Sequence, residues 1–277
     1  MALLKRLWPV REPVFDPTFR YETSWILPPG LLFTARVFLS LYAFTTIFTI
    51  FGIHGSQGEA KESEESFSYF TNLTYWGLAF YNAFSAVHTG SYWLRGKPFL
   101  ASWPRVLQVA HSMFYSTIVV YPFIVTIVFW ALLFSHFTGP FDAWTNTSQH
   151  ALNSVYALFE IVFPRTAPLP WLHIPVIVVI LAFYLAVAYI TEATKGFFVY
   201  DFLDNKTHSP GVVAGYCIGI LVGAILIFVI VRYLIVLRVW VTEKKLGNTG
   251  KFSKHGGVGA DEHDYEKGIP LGSVSAK

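Results

Sequence analysis

The chain has 277 residues, of which 54% are hydrophobic and only 13% charged, with a formal net charge of +3. Soluble domains carry roughly a quarter charged residues, so this composition excludes an ordinary water-soluble globule and points to a membrane protein. The single cysteine, Cys217 in an apolar run, excludes a disulfide framework or a cysteine metal cluster, and so small a net charge gives no sign of nucleic-acid binding.

Residues 1–29 read as a cytosolic or interfacial segment; the run MALLKRLWPV breaks at Pro9 before any long apolar stretch, so no cleavable signal is evident. A hydrocarbon core about 30 Å thick needs roughly 20 apolar residues per helix. Windows of that kind fall at 31–53, 67–94, 106–134, 145–163, 173–192 and 211–238. The expected fold is all-α, a polytopic six-helix transmembrane bundle over 30–240. Basic residues near the span ends (Arg20, Arg95, Lys97, Arg105, Arg165, Arg238) predict both termini in the cytosol. Three N-x-S/T matches, at Asn72, Asn146 and Asn205, then lie on the exoplasmic side, and Asn205 is the one far enough from the bilayer to accept a glycan. Residues 241–277, rich in Gly, Lys, Glu and Ser, predict a disordered cytosolic tail. The membrane is endoplasmic reticulum, another endomembrane or plasma membrane.

Polar residues inside the spans carry the functional signal, since ionisable groups in hydrocarbon are costly and have a partner or a task. Arg36 in the first span and Glu160 in the fourth are expected at one level, where they can pair. In the second span Thr71, Thr74, Leu78, Asn82, Ser85 and Thr89 recur at helical spacing. Such a stripe can line a helix interface, where small and hydroxyl residues allow close approach, or can supply a nucleophile. His88 and His111 could form a histidine pair for haem, although no H-x-x-x-H spacing supports it. In the fourth span Asn146, His150, Asn153, Ala157 and Glu160 share one face. Thr71 and His150 each lie a few residues inside the exoplasmic boundary of helices running in the same direction, so a hydroxyl and an imidazole can meet at one depth, with the imidazole as base. Glu192 and Asp201 are candidates to orient His150. Gly211, Gly215, Gly219 and Gly223 form a smooth ridge on the sixth span, suited to packing within the bundle or to a homodimer.

Three motifs in order resemble one family. Tyr69-Phe70-Thr71 matches a hydrophobic-hydrophobic-Thr element, Trp144-Thr145-Asn146-Thr147-Ser148-Gln149-His150 a Trp-x-Asn-x-x-x-His element, and Val199-Tyr200-Asp201-Phe202-Leu203-Asp204 a Val-Tyr-x-Phe-Leu-acidic element. Together they resemble the androgen-induced protein and androgen-dependent TFPI-regulating protein family, multi-spanning membrane threonine hydrolases that cleave fatty acid esters of hydroxy fatty acids. The resemblance implies Thr71 as nucleophile and His150 as its partner, without metal or organic cofactor and with a membrane lipid as substrate. Two departures stand out. Thr-Ser-Gln precedes His150 where the animal enzymes have a second histidine, and Asn72-Leu73-Thr74 offers a second register with Thr74 as nucleophile. The YFTNLTYWG stretch is also similar to rolling stone-like membrane proteins, which implies the alternative of a non-enzymatic protein acting through partners. Asn72, Asn146 and Asn153 are nearby candidates for oxyanion donors.

Overall fold

The computed structural model describes residues 14–250 and is helical throughout, without a strand among the described residues beyond one isolated bridge between Ser24 and Pro164. Its α-helices are α1 (Pro29–Ser56), α2 (Ala60–Glu65), α3 (Phe70–Arg95), α4 (Arg105–Val128), α5 (Pro140–Thr147), α6 (Asn153–Val162), α7 (His173–Lys195) and α8 (Pro210–Val239). Proline opens α1, α5 and α8 at the first turn, where its missing N–H is no loss. Gly96 and Gly196 close α3 and α7 in the left-handed conformation, at φ 74° and 78°.

Four helices are long and apolar enough to cross a membrane: α1, α4 with its extension to Leu133, α7, and α8 with its extension to Lys245. Their outward faces carry large hydrophobic side chains such as Phe38, Phe183 and Ile230. The other two expected spans are more polar. α3 buries Tyr75, Leu78, Asn82, Ser85 and His88 against its neighbours. The fourth is a broken helix, α5 and α6 joined by a π turn at Ser148–Leu152, and it starts at Pro140, earlier than its apolar pattern indicates. Matching π turns extend α4 at Phe129–Leu133 and α8 at Trp240–Lys245.

Arg36 and Glu160 meet as expected. Two hydrogen bonds of 2.8 and 2.7 Å join guanidinium to carboxylate, and neither residue is exposed. Arg36 also donates to the Tyr21 carbonyl and to Thr89 Oγ1. Thr89 in turn donates to the Ser85 carbonyl, and Ser40 of α1 donates to the Ala79 carbonyl of α3. The lower part of the α3 polar stripe is thus spent on packing against α1.

Chain segments expected to lie outside the bundle are built into it. Ser24 and Trp25 donate to the Phe163 and Val162 carbonyls at the end of α6. Glu243, in what reads as tail, receives two hydrogen bonds from Arg20 and lies 3.4 Å from Arg165, so the chain stays ordered through the last π turn. The expected tail beyond Thr249-Gly250 lies outside the described residues, as do residues 1–13.

Glu22 is 1% exposed, and among the described residues neither carboxylate oxygen has a hydrogen-bond partner. Burial holds its carboxyl well above the usual range, nearby Asp16 adds to this, and Arg36 opposes it. The folded protein therefore retains a proton there that the unfolded chain releases from about pH 4.5 upward, so Glu22 subtracts stability as pH rises. Glu22→Gln is expected to melt close to wild type near pH 4 and above it at pH 8. Thermal unfolding in detergent at the two pH values measures the difference.

Candidate functional site

The start of α3 is held from two sides. Tyr184 of α7 donates to the Ser68 carbonyl at 3.1 Å, and Thr191 donates to Ser68 Oγ. On the other side Gln149, in the π turn before α6, donates to Asn72 Oδ1 at 2.8 Å. Thr71 and His150 therefore sit on adjacent, mutually bonded stretches of chain. α3 has no side-chain cap at Tyr69; the Phe70 and Thr71 amides of its first turn face the Tyr200 phenol instead.

Thr71 lines an apolar cavity of about 250 Å³ bounded by α3, α4, α7, α8 and the turn at Asp201–Leu203. Phe70, Phe129, Tyr184 and Leu221 are among its walls. Ala182 of α7, Ile218 of α8 and Leu133 beyond α4 line it and are exposed, so the cavity reaches the outer surface of the helices. Its hydroxyl groups belong to Thr71, Tyr184 and Tyr200. Tyr200 stacks on Phe202 at 5.1 Å and meets Tyr69 edge to face at 5.9 Å. Burial raises its phenol above the ordinary range, while hydrogen bonding with Tyr184, the Thr71 side chain and the Phe70 and Thr71 backbone pulls it back.

His150 is 8% exposed. Its Nδ1 lies 3.1 Å from the Asn146 carbonyl, a contact that needs the proton on Nδ1 and leaves Nε2 as the basic nitrogen of the neutral ring. The ring lies flat on Phe129, centroids 3.5 Å apart and planes 8° from parallel. Trp130 donates to the His150 carbonyl. Both π turns meet here, and such turns recur at functional sites because they re-aim side chains. Among the described residues no hydrogen bond joins Thr71 to His150; Phe129, which faces both the cavity and the imidazole, is what they share.

The other expected site residues are placed differently. Thr74 donates to the Thr71 carbonyl within its own helix, away from the cavity lining. Asn72 holds Gln149, and Asn146 donates to Asp142 at 2.7 Å. Asn153 is buried against α4, accepting from Thr126 and donating to the Pro122 carbonyl, so it braces the proline-interrupted stretch of α4. Asp201 points outward beside His208 at 3.1 Å with its side chain 83% exposed, and Glu192 pairs with Lys206 at 2.6 Å. Of the three glycosylation matches, Asn205 is exposed.

His88 and His111 lie 5.4 Å apart in edge-to-face contact, with Tyr81 and Trp103 packed against them where a haem would have to lie. The described side chains able to share a metal ion are His54 at the end of α1, Glu59 in the turn after it and Glu62 in α2. The glycine ridge of α8 faces open space, and Gly215, Gly219 and Gly223 floor an outward groove with Ile127 and Leu132 of α4.

No protein-family model, no curated protein and no solved structure matches this chain.

Proposed function

We propose that the protein is an integral membrane ester hydrolase, a six-helix bundle with both termini in the cytosol, acting on bilayer-soluble lipid esters such as fatty acid esters of hydroxy fatty acids. The observation that carries this reading is a threonine on the wall of an apolar cavity whose Phe129 wall stacks on a histidine with its free nitrogen at Nε2.

A lipid ester enters between α7 and α8 with its acyl chain along the apolar walls. Phe129 swings aside and Nε2 of His150 takes the Thr71 proton; catalytic hydrogen bonds often close only around bound substrate. Thr71 Oγ1 attacks the carbonyl, the C–O bond to the alcohol breaks, and the alkoxide takes the proton from His150. Water then attacks the acyl-threonine, giving its proton through His150 back to Thr71, and the fatty acid leaves.

The test is fatty acid release from a panel of branched fatty acid esters by the purified protein in detergent. Release from none of them ends this reading. Ala182→Trp, which fills the mouth, is expected to cut turnover of long-chain esters by at least tenfold and to spare a short soluble ester.

A second reading, a protein that works through a partner, is favoured by the open glycine ridge at Gly211, Gly215, Gly219 and Gly223, to which a second copy could pack as a homodimer. Crosslinking in native membranes distinguishes the two.

A further inference from the structure

The cavity has three hydroxyls and a thiol, and their commitments differ. Tyr184 spends its proton on the Ser68 carbonyl. Thr71 is the group that must lose its proton if the hydrolytic reading holds. The Cys217 thiol is a weak donor. That leaves the phenol of Tyr200, at the entry to the short 3₁₀ segment between α7 and α8 and held by ring contacts with Phe202 and Tyr69. Its oxygen accepts from the Phe70 and Thr71 amides, and its O–H, within reach of the Thr71 and Tyr184 hydroxyls, can turn to a ligand.

We propose that Tyr200 is the hydrogen-bond donor that receives the carbonyl oxygen of an acyl ligand in this cavity. The surroundings favour it. A carbonyl oxygen that leaves the hydrated headgroup region for an apolar cavity needs a donor to replace water, and the walls here are almost wholly apolar. A phenol beside Thr71 would hold the carbonyl carbon next to the nucleophile and would bind more strongly as the oxygen gained negative charge. Asn146 and Asn153 donate elsewhere, Asn72 is turned to Gln149, and none of the three lines the cavity. The inference rests on the cavity being an acyl site, and its catalytic consequence rests on the hydrolytic reading.

Binding of a long-chain methyl ketone tests the donor without requiring turnover. The ketone carries no ester to cleave, and its carbonyl stretch lies clear of the protein amide bands. Infrared spectra of the full-length protein in detergent are expected to show a second, lower-frequency carbonyl band that is absent from empty micelles. Tyr200→Phe should abolish that band, while Tyr184→Phe and Thr71→Ala should keep it. Fluorinated tyrosine at position 200, a stronger donor of nearly unchanged shape, should move the band further down, and this arm holds even if Tyr200→Phe folds poorly. No second band, or one that survives in Tyr200→Phe and ignores fluorination, overturns the proposal. A Tyr200-dependent band in a protein that cleaves no ester keeps the donor and removes the hydrolase.

Discussion

Glu160→Ala is expected to destabilise the protein by about 3–5 kcal/mol, because it strands the Arg36 guanidinium in the bundle interior. The pair is bidentate, wholly buried, and linked through Arg36 to the Tyr21 carbonyl and Thr89, so it ties α1, α3, α6 and the N-terminal segment at one point. Arg36→Ala should do comparable damage, leaving a buried carboxylate and two acceptors without their donor. Combining Arg36→Met with Glu160→Met should be milder than either alanine variant, since an apolar pair removes the unmatched charge. Thermal melts of the purified variants measure the ranking. A double variant worse than both singles would mean that the Tyr21 and Thr89 contacts outweigh the ion pair.

That pair was legible in the sequence because opposite charges inside two apolar windows have few other partners. The four apolar helices were legible for a similar reason: an uncharged run such as 211–231 has only one comfortable environment. What was not legible is instructive. The break in the fourth element depends on a π turn, and periodicity over Asn146 to Glu160 cannot distinguish one residue of slippage from a continuous helix. Glu22 and Glu243 lie in segments expected outside the bundle, since only tertiary packing brings Arg20 and Arg165 to Glu243 or buries Glu22. Within the α3 stripe, spacing treated all hydroxyls alike. The fold separates them: Thr89 serves Arg36, Thr74 bonds its own helix, and Thr71 faces the cavity. Tyr200 lay inside a quoted motif, yet its neighbourhood with Thr71 arises from a connection 129 positions downstream in the chain and could not be read from local pattern.

Thr71→Ala is expected to abolish ester turnover, because no other hydroxyl in the cavity lies at the start of α3 with a histidine beyond one ring. Thr71→Ser should retain part of the rate, since it keeps the oxygen and loses only a methyl group. His150→Ala should lower turnover by about 10²–10⁴, the usual worth of a positioned general base. His150→Gln keeps hydrogen-bonding capacity without basicity and should be as slow as the alanine variant, which separates proton transfer from packing on Phe129. The two Thr71 variants should melt near wild type, since Thr71 is half-buried and makes no ion pair, whereas the two His150 variants lose the stack on Phe129 and are compared at temperatures below their own melts. Loss of turnover confined to Thr74→Ala would move the nucleophile by one helical turn.

The most direct measurement is to label the wild-type protein with a fluorophosphonate and map the adduct by peptide mass spectrometry. Attachment at Thr71, absent when His150 is alanine, is the predicted result. An adduct on another residue, or none on a protein that hydrolyses esters, would contradict the assignment of this hydroxyl as the reacting group.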